Sequence, residues 1–467
     1  MSTHHRSFLE GWHLPAEADA PTRDVFRKTL YEGLCAVVML GLVETNAAAA
    51  MVGLNATAMQ LALLGSAPLL LSALAQLATP YSASFVPRRK HFVIGGIILQ
   101  GAMIALASVS GFIGKKGSPL GANLFLAFFA LYAMSGGMGS GVWASWMADI
   151  VPQDVRGRFF ALRNRLVGVV QIIAGLSSGL IVTTISGGRP LWGAFAAMFV
   201  MAGFTRFGSA WFLSRVHEPH QTVRPPARDF TYVEFLRKTP TSNFARFVLF
   251  VALIHGTTAI SGPFFAPYFL KDLHLREQYW LYAVINNAGL IGTLVFLPFW
   301  GRMADRHGNR IVLMFSAIGI ALTPLPYLFV HSAPLLWLAG FLGGVAWSGF
   351  GLSSFNYVFE AVTPPRRIRC FSYLGATTGF AVFVLGMCGG LLVPHLPVLP
   401  YCISKYQTIF AISAAMRIAV VLSFISVIRE VRTVVEPADA LDIFFEMPGI
   451  RPARDITSNL FRALRRM

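Results

Sequence analysis

Long apolar runs, separated by short polar punctuation, fill the chain from about residue 29 to about residue 428. Six lie at about 29–50, 57–79, 91–112, 122–147, 160–186 and 191–214. Six more lie at about 244–270, 279–300, 311–331, 335–358, 370–393 and 407–428. Each can cross a bilayer, which takes about 20 helical residues. Backbone facing lipid must satisfy its own hydrogen bonds, so helices are the expected form. The short alternating strands of a membrane barrel are not seen. The pattern predicts an all-α integral membrane protein with twelve transmembrane helices.

The segment 215–243 divides the runs six and six. It holds Pro219, Pro225, Pro226 and Pro240 among mixed charges, which is linker chemistry. Five regions follow: a tail 1–28, a six-helix bundle 29–214, a linker 215–243, a second bundle 244–429 and a tail 430–467. Within the linker, the stretch from Asp229 to Lys238 is expected to form a short surface helix capped by Asp229. The stretch Ile456–Met467, with apolar side chains among basic ones, is a candidate to lie on an anionic membrane surface.

Composition agrees with the pattern. Of 467 residues, 55% are apolar and 13% charged, which argues against both a soluble enzyme and a disordered chain. The net charge of +17 raises the question of nucleic acid, but the basic residues sit between apolar runs and not on one folded face. With both termini inside, the cytoplasmic segments carry 29 of the 38 Lys and Arg residues and the outside loops six. That asymmetry follows the positive-inside rule and accounts for the charge without nucleic acid. Cys35, Cys370, Cys388 and Cys402 form no CxxC pair, so neither a disulfide framework nor a metal site is indicated. The first 28 residues lack the apolar core of a cleaved signal.

The halves repeat. Shifted by 211, Asp149 meets Glu360, Arg156 meets Arg367, Arg158 meets Arg369, and Arg206 meets Arg417. Gly168, Gly175 and Gly179 meet Gly379, Gly386 and Gly390. Paired arginines and glycines in one register point to an internal duplication, a recurrent transporter device.

The loop after the eighth run reads Gly301-Arg302-Met303-Ala304-Asp305-Arg306-His307-Gly308-Asn309-Arg310. It resembles the G-x-x-x-D-[R/K]-x-G-[R/K]-[R/K] loop of the major facilitator superfamily, in the place expected for the second half. The resemblance covers about residues 29–429 and implies two pseudo-symmetric six-helix bundles around a central cavity. In the first half Phe85 stands where Asp305 stands, and the fifth run lacks the Gly-Pro pair of the antiporter motif. Family geometry would set Asp305 beside the start of the eleventh helix, near Cys370 and Phe371. A carboxylate is favourable at that positive helix end. Gly301, Asp305, Arg306, Gly308 and Arg310 are thus candidates for a cytoplasmic gate. Asp149, Arg156, Arg158, Glu360, Arg367 and Arg369, in the repeated loops, are candidates for ion pairs between the bundles.

Charges inside spans are costly and mark functional candidates. Glu44 lies roughly 22 Å into the first run at 1.5 Å per residue, and the resemblance assigns that helix to the cavity. Removal from water favours the neutral form of a carboxyl group, so Glu44 is the first candidate proton carrier. His255, near mid-depth of the seventh run, is the second. Asn46, Asn286, Asn287, Trp347 and Asn356 are candidates for the cavity wall. Glu32, at the inner end of the first run, is expected to be interfacial or paired with a basic loop. Arg206 and Arg417 are expected to snorkel or to pair within their own bundles, in preference to binding substrate.

The function these features imply is a secondary transporter of a small organic solute, working by alternating access and coupled to protons, with export favoured. The expected setting is a plasma membrane, a bacterial inner membrane if the source is bacterial. The chain is expected to be a monomer in contact with lipid, needing no cofactor or metal. Alternatives are a lipid flippase of the same fold and a non-transporting sensor or assembly factor. No Walker, HExxH or GxSxG motif supports ATP-driven pumping or hydrolysis.

Overall fold

The computed structural model describes residues 20–82, 88–113, 118–188, 191–218, 232–237, 242–363 and 366–431. Twelve helices are long and apolar enough to cross a membrane. They are α1 (Arg23–Gly53), α2 (Ala58–Thr79), α3 (Arg89–Ile113), α4 (Leu120–Ile150), α5 (Val155–Ser186) and α6 (Trp192–Ser214). The second six are α7 (Asn243–Asp272), α8 (Leu275–His307), α9 (Asn309–Phe329), α10 (Ala333–Ala361), α11 (Arg369–His395) and α12 (Lys405–Phe424). No strand occurs among the described residues.

The first helix begins at Ala20, inside the segment expected to be a tail. Two contacts explain the earlier start. Lys28 pairs with Asp24 one turn back, and Phe26 is buried in a 4.2 Å stack on Phe159 of α5. The linker holds a helix at Tyr232–Arg237. Its expected cap Asp229 and the segment 456–467 lie outside the described residues.

The packing follows the repeat. In the first half α1 lies against α5 and α6, α2 against α4, and α3 against α4 and α6. In the second, α7 lies against α11 and α12, α8 against α10, and α9 against α10 and α12. The bundles meet along two seams, α2–α11 and α5–α8. Small residues make these seams close. An added Cβ at Gly175 would come within 2.1 Å of Asn287 Oδ1, and one at Gly179 within 2.8 Å of the Trp280 backbone. Across the other seam, Gly386 faces Ser66 and Gly390 faces Ala62. The repeated glycines therefore serve contact between the bundles.

The starts of α1 and α7 lie beside the ends of α6 and α12: Lys28 Nζ donates to Arg215 O, and Asn243 Nδ2 to Arg429 O. We call this side the termini end and the other the far end. The bundles touch at the far end, where Pro263 of α7 packs on Gly65 of α2. Toward the termini end, Gly139, Gly141 and Gly351 face open space. The observed closure between the bundles is thus at the far end.

Four helices are interrupted near the far end: α3 after Ala107, α9 after Leu322, and, with contacts to the other bundle, α1 and α7. In α1 the regular helix stops at Val43 and restarts at Ala47. Thr45 Oγ1 there donates to Gly41 O and Asn46 Nδ2 to Leu42 O at 3.0 Å, side-chain bonds that compete with the helical ladder. In α7 the α-helix ends at Ser261. Pro263 follows, without a backbone donor, and the chain continues through short 3₁₀ and π turns to Asp272.

Candidate functional site

A cavity of about 510 Å³ is lined by the first half alone, by α1, α2, α3, α4 and α6. Leu69, Ser72 and Gln76 of α2 also line an adjoining space of about 320 Å³ bounded by α7, α10 and α11. Gln100 and Arg206 open onto a third space of about 220 Å³ inside the first bundle. The three are parts of one central site. Its first-half wall is polar and charged. Its second-half wall is largely apolar, with Val251, Phe350, Phe355, Phe371 and Leu374.

Glu44 lines the largest space and is open to it. Tyr132 of α4, buried to 2% exposure, donates its hydroxyl to Glu44 Oε1 at 3.0 Å. Phe129 packs on the Tyr132 ring and helps fix its direction. Directly after Glu44, the break in α1 bonds to the second bundle. Asn286 Nδ2 donates to Thr45 O at 2.8 Å, and the Tyr279 hydroxyl donates to Asn46 Oδ1 at 2.6 Å. The carboxylate and the far-end closure are therefore neighbours on one interrupted helix.

Below Glu44 the first bundle holds a second charged cluster. Glu32 is buried, with its carboxylate between two guanidinium groups. Arg163 Nη2 of α5 donates to Glu32 Oε2 at 3.0 Å, and Arg206 Nη1 of α6 lies 3.9 Å from Glu32 Oε1. Ser209 Oγ donates to Glu32 Oε1 at 3.2 Å, and Arg206 Nε to Gln100 Oε1 at 2.6 Å. The Arg163 guanidinium carbon stacks 4.9 Å over the Trp143 ring. This cluster joins α1, α3, α5 and α6. Of the two expectations for Glu32, the interfacial one is corrected, since it is buried, and it pairs with basic residues instead: Arg163 near the start of α5 and Arg206 within α6.

His255 lines the second-half wall, half-buried. Its ring lies 4.9 Å from Trp347 and 5.9 Å from Phe350, with no hydrogen bond among the described residues. Arg417 is buried at 2% exposure. It donates to Ser413 Oγ at 3.1 Å, Ile320 O at 3.0 Å and Ser261 Oγ at 2.9 Å. All its partners among the described residues are neutral.

The residues predicted for the cavity wall separate. Asn46 is buried in the far-end closure and Asn286 bonds across it. Asn287 is buried at the α5–α8 seam against Gly175, and its Nδ2 donates to Ala283 O. Trp347 stands behind His255 and is not among the residues lining the space. Asn356 is half-buried near the termini end of α10. The expectation that all five share the wall is corrected: helix phase turns the amides into helix contacts.

At the termini end the repeated loops hold their own bundles together. Arg156 Nη2 donates to Ala148 O and Val151 O, at 2.5 and 2.8 Å. Arg367 Nη2 donates to Phe359 O at 3.0 Å and its Nε to Val362 O at 3.2 Å. Arg89 pairs with Asp149 at 2.7 Å and Glu218 at 3.3 Å. Asn309 Nδ2 donates to Glu360 at 2.8 Å. Glu218 accepts the Lys90 backbone N–H and Glu430 that of Arg310, placing a carboxylate at the start of both α3 and α9. Arg310 also donates to Ile425 O and Ile428 O. Gly308, with φ of 95°, makes the turn from α8 into α9. Gly301 and Arg306 lie on the last turns of α8. Asp305 is exposed there, with no hydrogen bond or ion pair to the start of α11 among the described residues. Arg158 is exposed and Arg369 half-buried. In place of the expected pairs between bundles, Asp149, Arg156, Glu360, Arg367 and Arg310 make bonds within a bundle. The physical reason is local: Arg156 and Arg367 follow a helix end closely and reach back to its free carbonyls.

Three contributors escaped the sequence. Tyr132 lies in an apolar run with nothing local to mark it. Gln100 and Ser209 are single polar residues in spans, and the cost of burying them unpaired was the available signal.

The sequence profile described as Major Facilitator Superfamily matches residues 33–286 and 247–466. Over 132 residues the chain is 29% identical to the class B tetracycline resistance protein of Escherichia coli, covering 26% of this chain and 33% of that one. Over 122 residues it is 30% identical to the multidrug resistance protein MdtG of Salmonella typhi, covering 23% and 28%. The matched stretches thus span about a third or less of those relatives. Among solved structures, a point mutant of the nucleoside transporter NupG superposes with a TM-score of 0.70 at 14% identity, over 87% of this chain and 100% of that one. A D-xylose-proton symporter superposes with a TM-score of 0.65 at 14% identity, over 89% and 99%. With its twelve helices, two seams and profile match over both halves, the chain belongs to the major facilitator superfamily of membrane transporters.

Proposed function

We propose that the protein moves a small organic solute by alternating access, driven by protons that bind and leave Glu44. One observation carries the reading: an acid open to the central cavity, bonded to Tyr132, is the first residue of the helix break whose next two residues close the far end. A proton on Glu44 alters its bond to Tyr132 and thereby the α1 segment that holds Tyr279 and Asn286. The basic loops support a cytoplasmic termini end, and closure at the far end then supports an inward-facing state. The gate residues would then act in the opposite state, when Asp305 and the loops after α4 and α10 approach each other. Two relatives are resistance proteins by name, which supports export as the direction.

Proteoliposomes test this. Solutes from metabolite and drug pools are added and proton movement is followed in wild type and Glu44→Gln. Solute-triggered proton movement in wild type, absent from a folded Glu44→Gln protein, is expected. Equal signals in the two proteins would exclude Glu44 as the carrier.

A further inference from the structure

Glu32 is the only acid paired with either Arg163 or Arg206 among the described residues, and it serves both. The two guanidinium groups therefore exceed their local carboxylate by one positive charge. Glu44 does not make up the difference by contact, since its hydrogen bond goes to Tyr132. Both arginines line the space of about 220 Å³ inside the first bundle, and Arg206 also lines the central cavity. Arg163 Nη1 and Arg206 Nη2 have no hydrogen-bond partner among the described residues. Neither does the buried indole N–H of Trp143, on which Arg163 stacks. Both arginines are partly exposed to this space, so their surplus charge is available to an anion that enters it. A planar carboxylate matches a guanidinium donor pair in geometry as well as charge.

We infer that Arg163 and Arg206 form a binding site for the anionic group of an amphipathic organic anion. Its apolar body lies toward Phe350, Phe355 and Phe371 across the cavity. The inference rests on the central cavity being the solute path, and it deepens that reading by naming the solute class. Glu32 is then a competitor for the arginines: it keeps them ordered when the site is empty and weakens their hold on the ligand.

Binding of 2-naphthoate, 2-naphthamide and myristate to the detergent-solubilised full chain tests this without any proton measurement. Wild type is expected to bind 2-naphthoate at least about tenfold more tightly than the neutral amide, one charge-assisted contact. Arg163→Gln should remove that preference. Glu32→Gln should tighten naphthoate binding, a gain that a misfolded variant does not produce. The same pattern with myristate alone keeps the anion site and makes the bilayer its source. No anion binding that Arg163→Gln weakens, weaker anion binding in Glu32→Gln, or no binding of any probe at millimolar concentration would overturn the inference. The outcome is separable from the coupling proposal. The anion pattern without proton movement sinks only the coupling, and proton-coupled transport without the anion pattern sinks only this site.

Discussion

The offset of 211 that pairs Arg206 with Arg417 also carries Glu44 onto His255 and Glu32 onto Asn243. The halves thus share a frame and differ in its chemistry. Arg206 reaches Glu32 and the side chain of Gln100. Arg417 reaches two serines and the carbonyl of Ile320. Under the offset of 220 that aligns the loops at Phe85 and Asp305, Gln100 corresponds to Ile320. The duplicated arginines therefore tie together equivalent helices, one within a charged and open network, the other among neutral groups packed away from the cavity. Likewise Glu44 faces the cavity with a tyrosine donor, while His255 lies against Trp347 and Phe350 without a hydrogen bond. Duplication preserved the brackets that hold each bundle. The titratable chemistry of the cavity concentrates in the first half.

The difference can be broken from either side. Glu44→Gln is expected to have the largest effect, a loss of proton-coupled transport of about a hundredfold or more, the scale of removing a proton-transfer group. Uptake of the same solute down its own gradient, with no pH difference, checks that the variant is intact. Next, Arg206→Met should destabilise the protein by about 1.5–3 kcal/mol, because it removes hydrogen bonds to Gln100 and Ser209 from a charged group that, open to the cavity, has little desolvation penalty to recover. Arg417→Met should cost no more than about 1 kcal/mol, since removing a buried cation held by neutral groups also removes its desolvation penalty. Thermal unfolding of both variants in one detergent compares them, and equal losses would erase the distinction between the two arginines. Tyr132→Phe removes a bond to an acid, worth about 1.5–3 kcal/mol when the acid is charged. It should slow coupled transport by about tenfold, less than Glu44→Gln. His255→Gln should change coupled transport by less than about threefold, since no hydrogen bond is lost.

The sequence made the fold legible because its physics is coarse. Lipid demands long apolar helices, and loop charge follows topology, so twelve spans and the midpoint linker could be read directly. Glu44 and Arg206 stood out because a charge in a span is rare. Their partners did not. Tyr132 is one tyrosine in an apolar helix, and its meeting with Glu44 depends on how α4 is rotated against α1. The same rotation turned Asn46 and Asn287 into helix contacts. The loops after α4 and α10 were recognisable as a repeat, but whether their arginines reach across or back depends on where the preceding helix ends. Arg156 and Arg367 reach back to equivalent carbonyls here.

The central claim is that the exchangeable proton of the cavity sits on Glu44. Infrared difference spectra of the purified protein between acid and alkaline pH report it directly, through the band of the neutral carboxyl group. The account predicts such a band in wild type, kept in Glu32→Gln and in His255→Gln and lost in Glu44→Gln. A band that survives in Glu44→Gln, or one lost in Glu32→Gln alone, would contradict it and move the proton to the arginine cluster or elsewhere.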